Sequence, residues 1–204
     1  MNRIQRTLLA AAAALSLGAA HASDVGLTQG GTFQWGFADA DALRTAALAA
    51  TAGQATNAIP SFENVVASGA AQVFTIQFGL TGAQAGHYDL RFGMDFGGGG
   101  AVFVDGVAQD FKSADVWWNG NWGNTSGVFS LSSALGAGNH TISIYGFENC
   151  CHGINAGQFN AGQGWVTFGN GDGLVASVPE PGSLALMLAG MGALVTVGRR
   201  RRQG

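Results

Sequence analysis

Cys150 and Cys151 are adjacent, are the only cysteines in the 204-residue chain, and stand beside His152. Neighbouring thiols have three outcomes: a vicinal disulfide, bridges to other chains, or a free dithiol that holds copper or zinc together with His152. Adjacent Cα atoms lie about 3.8 Å apart, below the usual disulfide range of about 4.4–6.8 Å. A vicinal bond would close almost no loop, so its use would be local: a rigid kink and a flat sulfur surface, with Gly153 allowing the turn. Two thiolates and one imidazole are too few ligands for a closed zinc site, and no resident metal or cofactor is expected.

A second cluster lies at Trp117, Trp118 and Trp122, interleaved with Asn119, Asn121 and glycines. Large aromatics fill cores, and they also stack on sugar rings beside amides that bond hydroxyls. Trp117, Trp118, Trp122 and Asn119 are thus candidate glycan-binding residues. Catalysis has weaker support. His87, His140 and His152 show no helical metal spacing, and no nucleophile elbow or nucleotide-binding glycine motif occurs. Asp95, Asp105 and Asp110 could act as acid and base, but strand alternation or a turn explains the first two. No catalytic residue is assigned.

These residues need a β scaffold. Gln72–Leu80 alternates Phe74, Ile76 and Phe78 against Val73, Thr75 and Gln77, and His87–Phe96 alternates cleanly through Tyr88, Leu90, Phe92, Met94 and Phe96. Ala101–Asp105 runs into an Asp-Gly hairpin signal at Gly106. Further strands are expected at Thr32–Phe37, Val128–Leu131, Thr141–Phe147, Gln158–Asn160 and Trp165–Phe168, and an Ala-rich helix over Asp39–Ala52. Short strands between glycine-rich turns predict a mostly β chain, an antiparallel sandwich or jelly roll.

Both ends read as signals. Residues 1–22 have Arg3 and Arg6, an apolar run and an Ala20-His21-Ala22 cleavage pattern, as signal peptidase requires. Residues 178–204 place Pro179-Glu180-Pro181 before an uncharged apolar stretch and Arg199, Arg200, Arg201 and Arg202. The stretch, as a helix, is short for a bilayer, but arginines snorkel and hold their end in the cytoplasm. Residues 23–177 between them suit one β-sandwich domain with a real core, flanked by a signal helix and a hydrophobic helix. That body holds three basic residues, Arg44, Arg91 and Lys112, against eleven acidic ones, a net charge of −8. Such a balance opposes nucleic-acid binding.

The C-terminal pattern resembles the PEP-CTERM sorting signal of Gram-negative bacteria, which implies an exosortase-type membrane enzyme as partner. Membrane contact is then confined to the C-terminal segment before processing. The resemblance implies export, an inner-membrane-anchored precursor, and delivery to the cell surface or extracellular matrix. Glu148-Asn149-Cys150-Cys151-His152-Gly153, with Trp117-Trp118 and Gly157-Gln158-Phe159, is similar to the CCXG family of PEP-CTERM proteins. The order from Gly86-His87-Tyr88 through Val104-Asp105-Gly106 to Ala137-Gly138-Asn139-His140 is similar to secreted sandwiches of the protective-antigen and fibro-slime type. Flocculin-type adhesins of that class hold calcium and sugar on an Asp pair, where this chain has Asp95-Phe96-Gly97. The reading is a noncatalytic envelope or exopolysaccharide-matrix protein. The alternatives are a carbohydrate-binding lectin-like module with exopolysaccharide as partner and, behind it, a secreted polysaccharide hydrolase.

Overall fold

The computed structural model describes residues 22–176. In chain order its strands are β1 (Asp24–Gly30), β2 (Thr56–Ile59), β3 (Val65–Val66), β4 (Ala71–Leu80), β5 (Gly86–Gly93), β6 (Asp95–Phe96), β7 (Gly100–Val104), β8 (Val107–Lys112), β9 (Val116–Trp117), β10 (Val128–Leu135), β11 (Gly138–Phe147), β12 (Ile154–Asn160) and β13 (Val166–Thr167). One helix, α1 (Ala40–Ala50), lies between β1 and β2. All strand pairs are antiparallel, and they form two main sheets. One has the order β2-β1-β4-β11-β7-β8; the other runs β10-β5-β12-β13, with β3 against β12. A separate ladder, β6-β9, stands apart from both.

The alternation of β4 sends Phe74, Ile76 and Phe78 into the space between the sheets, where they meet Leu90 and Phe92 of β5, Phe129 of β10 and Phe159 of β12. The opposite side of the six-stranded sheet is also covered. Val73, Ala101, Phe103, Tyr145 and Phe147 pack under α1, which buries Leu43 and Ala47. Asp39 starts this helix by accepting the Ala42 N–H at 2.8 Å, and Thr51 ends it by donating its hydroxyl to the Ala47 carbonyl at 2.8 Å. A helix face of alanines lets the aromatic side chains beneath it fill the layer.

Two expectations change. The first strand is Asp24–Gly30, not Thr32–Phe37. Gly31, at φ +64°, ends the extension, and Phe33 and Phe37 turn to the α1 layer, with Phe37 stacked on Phe147 at 5.2 Å. The strand expected to run through Phe96 breaks after Gly93. There the indole of Trp118 lies against the backbone so closely that a Cβ on Gly93 would stand 2.2 Å from it. Asp95 and Phe96 then pair with Trp117 and Val116 instead. The chain after Gly106 returns as β8. The terminal helices fall outside the described residues.

The two ends of the described chain are laced into the sandwich. The buried Ser23 hydroxyl donates to Asp172 at 2.6 Å, and Val175 pairs with Gly79 near the end of β4. At the other end of β4, Ala71 pairs with Phe147.

Gly146 of β11 faces the ring of Phe96, and a Cβ there would stand 2.3 Å from it. Phe96 is fully buried and cannot yield. Gly146→Ala should therefore cost about 2 kcal/mol by overpacking. That is a fall of roughly 6 °C in Tm for a domain of this size. Gly136→Ala, which meets nothing within 4 Å, should leave Tm in place in the same thermal melts.

Candidate functional site

A cleft of about 530 Å³ opens at the sandwich end where β11 finishes. It is lined by Asp95 and Trp117 of the small ladder, by Asp115 and Asn119 beside it, and by Glu148, Cys150, Cys151 and Gly153 between β11 and β12. The cysteine element and part of the tryptophan cluster, far apart in sequence, therefore face one space.

Cys150 and Cys151 are joined by a disulfide across Cα atoms 3.8 Å apart. The kink expected there exists, but Gly153 does not supply it. Cys151 and His152 take the left-handed conformation, at φ +70° and +37°, and the His152 N–H donates to the Cys150 carbonyl at 2.9 Å. Gly153 has another task. Its N–H donates to Asp95 Oδ2 at 2.5 Å, an approach that a Cβ would block.

Two buried carboxylates fix this corner. Glu148 is 4% exposed, and its oxygens accept the N–H groups of Gly97 at 2.7 Å, Asn149 at 2.9 Å and Cys150 at 2.7 Å. These charge-assisted bonds bind the turn to the chain just after β6. Asp95 is 8% exposed; besides accepting from Gly153, its own N–H donates to Asn155 Oδ1 at 2.9 Å. Burial pushes its carboxyl above the ordinary 3.8; the Gly153 N–H works against this, Glu148 and Asp115 add to it, and His152 opposes it.

The tryptophans part company. Trp117 is 56% exposed and borders the cleft with Asn119. Trp118, on the other face of the ladder, is buried against Val128, Ala156 and Gly93. Trp122 packs beside Trp118 at 4.6 Å and, on its other side, lies under the Arg91 guanidinium at 4.2 Å. Only Trp117 and Asn119 of the predicted set thus reach the cleft. The sequence reading missed Asp115 and the Glu148 cap; an acidic residue directly after a strand and before a Cys-Cys turn was the available signal.

His140 donates through Nε2 to the Gly136 carbonyl at 2.9 Å, and its Nδ1 is hydrogen-bonded to Asp105 Oδ2 at 2.8 Å. Both ring nitrogens are thus engaged in holding the Asp105-Gly106 hairpin against β11. Phe96, buried in the core, takes the second position of the Asp pair, and among the described residues no three His, Cys, Asp or Glu side chains converge as metal ligands.

Residues 177–202 match the PEP-CTERM protein-sorting motif. Pro179, Glu180, Pro181 and Arg199–Arg202 fall in this match and outside the described residues. The motif implies processing by an exosortase, and an exported chain anchored transiently in the membrane and then at the cell surface. Among the described residues no helix is long and apolar enough to cross a membrane. No curated protein matches by sequence. Of solved structures, the PA14 sugar-binding domain from an RTX adhesin aligns with a TM-score of 0.54 at 12% identity, over 77% of this chain and 99% of that one. The PA14 domain of the MpAFP antifreeze protein aligns at 0.47 and 11%, over 77% and 93%. The A domain of Epithelial Adhesin 9 from Candida glabrata, in complex with Galb1-3GlcNAc, aligns at 0.45 and 9%, over 75% and 87%. The first of these establishes the PA14-type β-sandwich fold.

Two measurements test the cleft. The secreted protein should show no reactive thiols without reductant and two after reduction; two thiols at the outset would contradict the disulfide. The raised Asp95 carboxyl means that the folded state holds this proton more tightly than the unfolded state. Its contribution is then fully present below the unfolded value of 3.8 and lost as pH rises through the higher folded value. Urea titrations across that window should show wild-type stability falling, relative to Asp95→Asn, as pH rises. A difference that stayed flat or rose would contradict the buried, proton-holding carboxyl.

Proposed function

We propose that the mature protein is a noncatalytic, lectin-like module that binds carbohydrate in the cleft at the end of its sandwich, within the exopolysaccharide matrix at the cell surface. The single observation behind this is the juxtaposition of the half-exposed Trp117 indole, the exposed Asn119 amide and the Cys150–Cys151 disulfide around one cleft with a carboxylate in its wall. A pyranose has apolar C–H faces and a rim of hydroxyls. The indole and the sulfur pair supply apolar surface, and Asn119, Asp115 and Asp95 supply partners for the rim. The corner is also rigid. Glu148 and Asp95 tie the turn down, so little conformational entropy is lost on binding.

Hydrolysis of a glycan needs two carboxyls free to act as acid and base. Of the three carboxyls that line the cleft, Glu148 spends both oxygens on backbone amides and Asp95 is buried with one oxygen held by the Gly153 N–H, which leaves only Asp115 exposed and supports a binding role over a hydrolytic one. The reading also takes residues 1–22 as a signal removed by signal peptidase, residues 23–177 as the working domain, and residues 178–204 as the part that the exosortase acts on.

A glycan array followed by calorimetry on the secreted protein tests this. Trp117→Ala should weaken binding at least about tenfold, as loss of an aromatic anchor does, without moving Tm, because the side chain is half exposed. Absence of any glycan ligand, or binding indifferent to Trp117→Ala, would sink the proposal.

A further inference from the structure

The outer face of the β10-β5-β12-β13 sheet carries a second arrangement, built from residues that do not line the cleft. Arg91 of β5 lies between Ser130 of β10 and Gln158 of β12 across the strands. Its guanidinium carbon is 4.2 Å from the ring centroid of Trp122 and 3.9 Å from that of Trp165. Its Nε donates to Gln158 Oε1 at 2.9 Å, and Nη2 donates to the same oxygen. Gln158 Nε2 in turn reaches Thr167 Oγ1 at 3.3 Å. Two aromatic contacts and a fixed amide hold the guanidinium in one place.

A guanidinium has five N–H donors, and two are used here. The other three lie at the Nη1–Nη2 end and meet no protein acceptor among the described residues. Among the described residues no carboxylate pairs with Arg91 either, whereas Arg44 has Asp41 at 2.7 Å. The side chain is partly buried, and burial lowers its pKa. A cation withdrawn from water without a counter-charge is costly, in a body where acidic residues outnumber basic ones by eight. What is left open is the planar fork that accepts a carboxylate through two parallel bonds. Beside it, Trp165 is 42% exposed and offers an apolar face.

We propose that this sheet face is a second glycan site, specific for a uronate: the sugar carboxylate docks on the Nη1–Nη2 end of Arg91 while an adjoining pyranose stacks on Trp165. The acidic body repels a densely charged polyanion, which selects a polymer whose carboxylates are spaced by neutral sugars. The site shares no residue with the cleft, so either stands if the other fails.

Calorimetry on the secreted protein would use an oligosaccharide of alternating uronate and neutral sugars, its carboxyl-reduced neutral form, and sodium acetate. The uronate form should bind at least about tenfold more tightly than the reduced form. Arg91→Gln should abolish that preference, Arg91→Lys should keep the charge and lose most of it, and Trp165→Ala should weaken both forms. Trp117→Ala should leave the preference intact. Equal binding of the two forms, or a preference that survives Arg91→Gln, would make Arg91 a clamp between loops and nothing more. Acetate competing as well as the oligosaccharide would show a bare anion contact and overturn the glycan reading. Should Arg91→Gln fail to fold, Arg91→Lys and the exposed Trp165→Ala carry the same decision.

Discussion

The carboxylate of Glu148 governs the working end of this molecule. Beyond β11 the chain has no sheet partner to satisfy its amides, and an unpaired buried N–H is expensive. Glu148 gathers the Gly97, Asn149 and Cys150 amides into one charge-assisted node. Bonds of that kind contribute about 1.5–3 kcal/mol each. Asp95 repeats the device on the other side with Gly153. The disulfide then closes a turn already tied at both shoulders, so it shapes surface more than it supplies stability. Because the node is buried and ionic, it resists change: removing the acid would strand three amides at once.

Much of the sandwich was legible because alternation is a strong signal where one face meets a core. β4, most of β5, β7 with its Asp105-Gly106 turn, and the helix capped by Asp39 all follow from local pattern. The failures share a cause. β1 has only Val25 and Leu27 as inward apolar residues, and its pairing with both β2 and β4 is long-range. Thr32–Phe37 carries aromatic residues that imitate a strand, but they serve the layer under α1. β8 has no buried residue and lies at a sheet edge, where periodicity has little to report.

The candidate site was half legible. Residue type flagged the cysteine pair and the tryptophan cluster, but type does not say which way a side chain faces. The break after Gly93 decides that. It lets Trp118 close over the backbone and leaves Trp117 pointing the other way. The same break moves Asp95 out of the β10-β5-β12-β13 sheet and into the cleft. One glycine thus separates a core residue from a surface one. No alternation rule applied to Trp117-Trp118 alone could have located that separation.

The pairing of Val175 with Gly79 sets the end of the sandwich at which the described chain leaves it. On β4, Gly79 and Ala71 are eight residues apart, roughly 27 Å along an extended strand. The chain departs toward its sorting tail beside the first; the cleft is built around the strand end next to the second. The described chain therefore leaves the sandwich at the end of β4 away from the cleft, and the sorting motif follows from that end in sequence.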